Sequence, residues 1–384
     1  MNFFHLLVLL EKGNKTLFDC PVEEQKAYLA SLGKPGDLYD RSYKQYRCQM
    51  YMVPLWKRIF LSFSSALIFP FLLVYLLLRG LKYGHERDIP AVSDFTTLAE
   101  VIPEELLAEW APDSSVWDNA TGLKMNDLGF ISRLFFQFIL HPYLVLKLTM
   151  KIALYRLLIV RYSPKAIVVH NEYSFTSSVL TEYCRKNDIL HIDVMHGEKL
   201  FYIRDSFFCY DKCYVWDQHY VDLFVSLQAA PDQFIIAVPP SLHLDTSAYV
   251  NQSAYADIKY YLALNKEEEI ASIVSSLKPA RDAGLTVKYR LHPRYSDRQM
   301  ILRYCSEEDL EKPEEVSIQE SLSNLAYAAG SYSTVLLQAS MAGKKVILDD
   351  VTYKKTYEQL KGMDYILARQ PHLKLSKLSE ICVL

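Results

Sequence analysis

Three groups of residues in this chain of 384 could do chemistry. The first is His292-Pro293-Arg294, which follows the run "TVKYRL". Val287, Tyr289 and Leu291 alternate with Lys288 and Arg290, the period of a strand that stops at the histidine. An imidazole at a strand end, a proline that fixes the next φ and a guanidinium behind it together suit an anion. The second group is "GSYST", residues 330–334, which opens the helical run "VLLQASMAG". Ser331, Ser333 and Thr334 put hydroxyls and backbone N–H groups at a helix N-terminus, which is either a plain N-cap or a second anion site. Three hydroxyls and a glycine in five residues exceed what capping uses. The third group is His196 and Glu198 in "MHGE", with Glu172 closing "AIVVHNE". An ordinary imidazole titrates near about pH 6.5, so His196 can act as a base near neutrality, whereas Glu172 or Glu198 need desolvation to do so.

These residues sit at the ends of strands in an alternating pattern. From Lys165 onward, short β-branched runs ("AIVVHNE", "ILHIDVMHGE", "KCYVWDQ", "FIIAVPP") alternate with helical spacing in "SFTSSVLTEYCRKN" and "HYVDLFVSLQ". After a polar connection near residues 246–257 the alternation resumes with "IKYYLAL", a helix over about 267–283, "TVKYRLH", "LAYAAG", a helix from Ser333 and "KKVILDD". Strand–helix alternation predicts parallel α/β halves, with ligands at the carboxyl ends of the strands. No GxGxxG follows a strand and no Walker lysine loop occurs, so the usual dinucleotide and ATP signatures are absent.

Composition bounds the rest. A chain 51% hydrophobic with net charge -3 is a folded protein and not one that coats nucleic acid. Seven scattered cysteines suit a reducing compartment better than a disulfide framework. Cys209, Cys213 and His219 match no zinc spacing, and no DxD-type metal motif stands in a suitable loop. The opening "MNFFHLLVLLEKG" lacks the basic n-region and small-residue cleavage site of a signal peptide.

One stretch departs from a soluble pattern. Residues 59–78, "IFLSFSSALIFPFLLVYLLL", carry no charge over 20 positions, about the 30 Å that a helix needs to cross a bilayer. Pro70 stands in its middle, and Lys57, Arg58, Arg79 and Lys82 flank both ends. A core helix pair is one reading; a segment dipping into the cytoplasmic leaflet fits the two-sided basic flanks better. Residues 130–162 hold Arg133, Lys147, Lys151, Arg156 and Arg161 with no acidic residue, and Pro142 divides them into two expected helices. Lys147 and Lys151 share a face opposite the leucines, which suits an anionic membrane surface, with snorkelling core helices as the alternative.

"LHPR" followed by "GSYSTVLLQASMAGKKVILDD" resembles the C-terminal half of GT-B glycosyltransferases that use CMP-linked donors, the bacterial sialyl- and polysialyltransferases of capsule synthesis. More distantly it resembles the CDP-glycerol glycerophosphotransferases of teichoic acid synthesis. The resemblance covers about residues 165–350. It implies a GT-B fold, two Rossmann-like domains facing a cleft, with an acceptor domain over 91–245 and a donor domain over 246–384; the apolar run and its basic flanks mark residues 1–90 as a helical membrane-associating segment ahead of them. It implies that His292, Pro293, Arg294, Ser331, Ser333 and Thr334 hold the donor phosphate, with His196, Glu172 or Glu198 as base and neither cofactor nor metal. The implied partners are a CMP-linked sugar donor, a glycan acceptor and the inner face of the cell membrane. Glycerol phosphate transfer from CDP-glycerol, or a non-catalytic nucleotide- or glycan-binding homologue, are the alternatives. The paired acids and glycine of the sialyltransferases do not occur before His292; "MHGE" stands there and resembles the His-Gly of the glycerophosphotransferases. Gln338 stands where relatives often carry an acid, and Pro239 where a glycine often ends the interdomain strand.

Overall fold

The computed structural model describes residues 15, 17–95, 101–243 and 255–380; the opening run and most of the polar connection at 246–257 lie outside the described residues. Two compact units result. Unit 1 takes the described residues up to His196 together with Phe201–Pro239, and unit 2 takes Gly197–Leu200 with those from Pro240 onward.

Unit 1 opens with three helices, α1 (Val22–Ser31), α2 (Leu38–Tyr51) and α3 (Leu55–Gly80). Asp37 starts α2 by accepting from Asp40 N at 2.7 Å, which satisfies one of the orphan donors of the first turn. α2 buries Tyr39, Ser42, Gln45, Tyr46 and Met50, the spacing of one helix face. The α/β layer follows: β1 (Ala91–Ser93), α4 (Glu104–Trp110), α5 (Leu128–Gln137), α6 (Pro142–Tyr162), β2 (Ala166–Val169), α7 (Ser177–Arg185), β3 (Leu190–Val194), β4 (Lys212–Val215), α8 (Gln218–Ser226) and β5 (Phe234–Ile236). All five strands are parallel, in the order β1-β2-β3-β4-β5. Leu106 of α4 packs on Ala166, Val168, Ile192 and Val194 on one face. On the other, Tyr155 of α6 and Thr181 of α7 reach His191 in β3, each at 2.8 Å.

α3 runs unbroken through Pro70, because the proline and Ala66, whose carbonyl loses its donor, both lie on the exposed side. Leu61, Ser65, Phe69, Leu76 and Gly80 face inward, and α3 packs along α6. Ile59, Phe63, Leu67, Phe71, Val74 and Leu78 are exposed. At its end, a Cβ on Gly80 would stand 1.9 Å from the Leu123 carbonyl oxygen, so only glycine permits that backbone crossing.

The expectation for residues 130–162 is corrected for its second helix. α6 buries residues on every side, among them Leu144, Leu146, Leu148, Ile152, Leu157 and Leu158. Two of its charges pair with acidic residues of the same unit. Arg156 Nε pairs with buried Asp127 at 2.7 Å, and Arg161 meets Glu86 at 2.7 Å and Asp118 at 2.5 Å. α6 is a core helix, the alternative given for this stretch, and Lys147 and Lys151 are half-buried on it. The exposed apolar residues of this stretch belong instead to the end of α5 and the turn after it: Phe136, Ile139 and Leu140.

Unit 2 comprises β6 (Ala256–Tyr261), α9 (Glu267–Asp282), β7 (Val287–Arg290), α10 (Arg298–Ile301), β8 (Leu310–Glu311), α11 (Ile318–Ser323), β9 (Leu325–Gly330), α12 (Thr334–Met341), β10 (Lys345–Leu348), α13 (Lys354–Gly362), α14 (Ile366–Arg369) and β11 (Leu373–Lys374). Its six strands are parallel in the order β11-β10-β9-β6-β7-β8, the doubly wound arrangement in which the order of strand addition reverses between β6 and β9. Ile258, Tyr260, Val287, Tyr289, Ala329 and Ile347 join Ile270, Ile273 and Leu277 of α9 in one core. Three charges are buried within the sheet. Glu311 accepts from Lys259 Nζ at 2.5 Å and from Arg290 Nη1 at 2.6 Å. Burial alone would raise the Glu311 pKa, but the Lys259 ammonium and Arg290 guanidinium beside it hold it below the usual range.

His191 gives unit 1 an acid sensitivity. Burial, with Lys151 and Arg185 adding to it, pushes its pKa down to about 3. The unfolded imidazole takes its proton near about pH 6.5. Stability is therefore whole above that pH and falls as pH drops from there toward 3. Between pH 7 and pH 5 the loss from this residue should be about 2 kcal/mol. Urea unfolding at the two pH values measures it, and His191→Gln should flatten the difference; an unchanged slope assigns the effect elsewhere.

Candidate functional site

The donor-side candidates of unit 2 lie at the carboxyl edge of its sheet. His292 follows β7, and Ser331 to Ser333 follow β9. β6 lies between those strands, so the strands that lead to the two groups are two strand spacings apart, about 10 Å. That gap is next to the switch point, where doubly wound sheets bind ligands.

The local geometry at each position is defined. His292 N donates to Ser296 Oγ at 2.8 Å, and Tyr295 stacks on the ring at 4.5 Å between centroids. Arg294 N donates to His292 Nδ1 at 3.1 Å. Nδ1 therefore carries no proton, and the neutral ring presents its N–H at Nε2. Burial lowers the pKa of His292 and the Arg294 charge adds to it, which favours the neutral, hydrogen-bond-donating ring. Pro293 and Arg294 are exposed on the turn.

Ser333 is the N-cap residue of α12, yet its side chain makes no cap hydrogen bond, and its Oγ is buried without a partner. The plain capping role is not what this hydroxyl performs, and an unmade bond of this kind costs about 1–3 kcal/mol. Ser331 and Thr334 flank it, half-buried. Asp349 and Asp350, just after β10, are used inside unit 2. Asp349 accepts from Tyr260 Oη at 2.6 Å and from Thr352 N at 2.8 Å. Asp350 accepts from Ser376 Oγ at 2.6 Å. Gln338 Nε2 donates to the Ser241 carbonyl at 2.8 Å.

The base candidates divide between the units. His196 and Glu172 lie at the carboxyl edge of the unit 1 sheet, with Glu172 Oε1 4.0 Å from His196 Nδ1. Glu172 is buried, and Gln45 of α2 holds its carbonyl at 2.8 Å. Glu198 belongs to unit 2, where its carbonyl accepts from Tyr332 Oη at 3.5 Å. Among the described residues no cluster of three ligating side chains is placed for a metal ion, and Cys213 Sγ lies 3.6 Å from Asp193 Oδ2 inside the sheet.

Two residues that the sequence reading did not single out join His196. Asp94, just after β1, accepts from His170 Nδ1 at 2.9 Å and from Asn171 Nδ2 at 3.0 Å. The His170 and His196 rings meet edge to face, 4.4 Å between centroids. His170 was visible in "AIVVHNE", beside Glu172. Asp94 was not, because β1 is a three-residue strand ahead of the recognised alternation.

No protein-family model matches the chain, and no curated protein matches it. Solved structures do. The wall teichoic acid polymerase TagF aligns at 9% identity over 77% of this chain and 78% of that chain, with a TM-score of 0.42. A TagF variant aligns at 11% identity and TM-score 0.38 over 56% of this chain, and this chain spans only 63% of its length. S. aureus MnaA, in a co-structure with UDP, aligns at 9% identity, TM-score 0.39, over 68% of this chain and 78% of that one.

The site in unit 2 is open to direct measurement. For a site that holds the CMP implied by the sequence resemblance, His292→Ala and Ser333→Ala should each weaken CMP binding about tenfold or more, the worth of one hydrogen bond to a charged group. Calorimetry reads the affinity, and thermal unfolding should show little change for His292→Ala. A variant that binds CMP as the wild type does removes that residue from the site.

Proposed function

We propose that the chain is a GT-B glycosyltransferase of surface polysaccharide synthesis that transfers sialic acid or a related acidic sugar from a CMP-linked donor to a glycan acceptor. The observation that carries the reading is the pair of donors at the carboxyl edge of unit 2: the Nε2–H of His292 and the buried hydroxyl of Ser333, with β6 between their strands. Together with the α12 N-terminus they suit the phosphate of a departing nucleotide, whose growing charge is met by donors already in place. The order of "LHPR" and "GSYST" supports a cytidine nucleotide. One observation favours a second reading, glycerol phosphate transfer from CDP-glycerol: the His196-Gly197 pair where the sialyltransferases carry acids.

A panel of CMP-sialic acid, CDP-glycerol and UDP-sugars, scored by thermal shift and nucleotide release, tests both. CMP release from CMP-sialic acid is the expected outcome. CMP release from CDP-glycerol alone supports the second reading, and a chain that binds nucleotide without releasing product is a non-catalytic homologue.

The reading places the protein on the inner face of the cell membrane through α3. This helix is 26 residues long, its most apolar 18-residue window has a mean hydropathy of 2.2, and only 17% of that window is buried. Its inward stripe rests along α6, itself a core helix, so crossing a bilayer would drag unit 1 into the hydrocarbon. The exposed stripe suits a helix lying in the plane of the leaflet, with Phe136, Ile139 and Leu140 as further apolar contacts. Replacing Phe63, Leu67 and Phe71 with serine should move the protein from the membrane to the soluble fraction with its thermal unfolding kept. Phe69 is excluded because it stacks on Phe135 at 5.6 Å. A folded variant that stays in the membrane fraction removes α3 as the anchor.

A further inference from the structure

We propose that the base toward the acceptor is His170, with Asp94 as its positioning partner, and that His196 is a neighbour of that base. The inference rests on the transfer reading above and deepens it. Three consecutive parallel strands deliver the groups: Asp94 follows β1, His170 follows β2, and His196 stands two residues beyond β3.

The hydrogen bonds decide which nitrogen is basic. Asp94 Oδ1 lies 2.9 Å from His170 Nδ1, and Asp94 Oδ2 accepts from the Asn171 amide at 3.0 Å. Both carboxylate oxygens thus accept, so Nδ1 carries the hydrogen and the lone pair of the His170 ring is on Nε2. Asn171 is held in turn, because its backbone N–H donates to Asp193 Oδ1 at 2.8 Å, and Asp193 is buried in β3. The chain Asp193–Asn171–Asp94–His170 sets both ring orientation and tautomer, the task a third group performs for a catalytic imidazole. His196 Nδ1 is 4.0 Å from Glu172 Oε1, an ion-pair separation outside hydrogen-bonding range. The His170 side chain is 28% exposed while Asp94 is 11% exposed, so the ring reaches solvent and the carboxylate behind it is screened.

Every element around the ring contributes to its surroundings. Asp94 and the Phe95 ring, 4.7 Å away, come from the β1 end, Asn171 and Glu172 from the β2 end, and Asp193 and His196 from β3 and its exit. Lys151 approaches Asp94 from α6; burial lowers its pKa and Asp94 opposes that shift. The Asp94 carboxylate lies 2.9 Å from His170 Nδ1, on the side of the ring away from Nε2.

In the step itself the acceptor hydroxyl gives its proton to His170 Nε2. Its oxygen forms the new bond to the electrophilic carbon of the donor sugar. The bond from that carbon to the nucleotide phosphate oxygen breaks, and the electron pair leaves on CMP.

Two measurements on the full chain test this. In the first, histidine-labelled protein is titrated by NMR without substrate. The Nδ1–H tautomer of His170 is expected, and Asp94→Asn should lower its titration by about one pH unit or more. An Nε2–H tautomer, or a titration that Asp94→Asn leaves in place, overturns the pairing. In the second, pH–rate profiles are taken with whichever donor the wild type turns over. His170→Asn should lower turnover by about two to four orders of magnitude while CMP binding and thermal unfolding persist. Asp94→Asn should reduce the rate less and move the acid limb to lower pH; a purely structural Asp94 lowers the rate at every pH without moving the limb. Near-normal turnover of His170→Asn overturns the proposal, and loss in His196→Asn alone gives the base to His196. If the wild type turns over no donor, the transfer reading fails and the role of His170 toward an acceptor fails with it. The NMR titration still reports separately whether the pair exists.

Discussion

Parallel strand pairing is the constraint from which the chemistry of this protein follows. When every strand of a sheet runs the same way, all carboxyl ends meet at one edge, and neighbouring ends stand about 4.8 Å apart. In unit 1 that spacing lets Asp94, His170 and His196, from three adjacent strands, touch without any distortion of the chain. In unit 2 one strand intervenes between β7 and β9, and Ser333 Oγ finds no hydrogen-bond partner. His292 and Ser333 can satisfy two parts of one ligand. The same geometry thus makes a paired cluster in one unit and an open pair of donors in the other.

A sheet edge is useful only if the sheet interior is rigid, and here the interior is unusually polar. His191 and Asp193 stand in β3; Lys259, Arg290 and Glu311 stand on three adjacent strands of unit 2. Each is buried, and each has hydrogen-bonding partners. Desolvated polar groups tolerate few arrangements, because any arrangement that unpairs them carries a large penalty. In unit 1 this polar interior leads directly to the edge, since Asp193 inside the sheet orients Asn171 outside it.

The N-terminal helices join both themes. α2 holds the carbonyl of Glu172 through Gln45, and Ser42 Oγ accepts from Val179 N at 3.0 Å. α3 spends one stripe on α6 and leaves the other to its surroundings. A membrane contact made by α3 is therefore made by an element packed on the layer that carries the His170 cluster.

Local sequence was enough for much of this. Runs such as "AIVV", "KVIL" and "LAYAAG" are β-branched or apolar and bounded by polar turns, so β2, β9 and β10 were legible, and with β9 the strand-end position of Ser333; the alternation in "TVKYRL" did the same for β7 and His292. The apolar length of α3 was legible for the same reason. What was not legible depends on residues far apart in the chain. β1, β8 and β11 have two or three residues each and exist only through their neighbours in the sheet. The basic residues of α6 read as a surface stripe because their partners are distant: Asp127 lies 29 positions from Arg156, and Glu86 lies 75 from Arg161. Asp94 and His170 are separated by 76 positions. A hydrogen bond between two short side chains has no period and no composition, so only the folded sheet, by aligning β1 with β2, could bring that pair together.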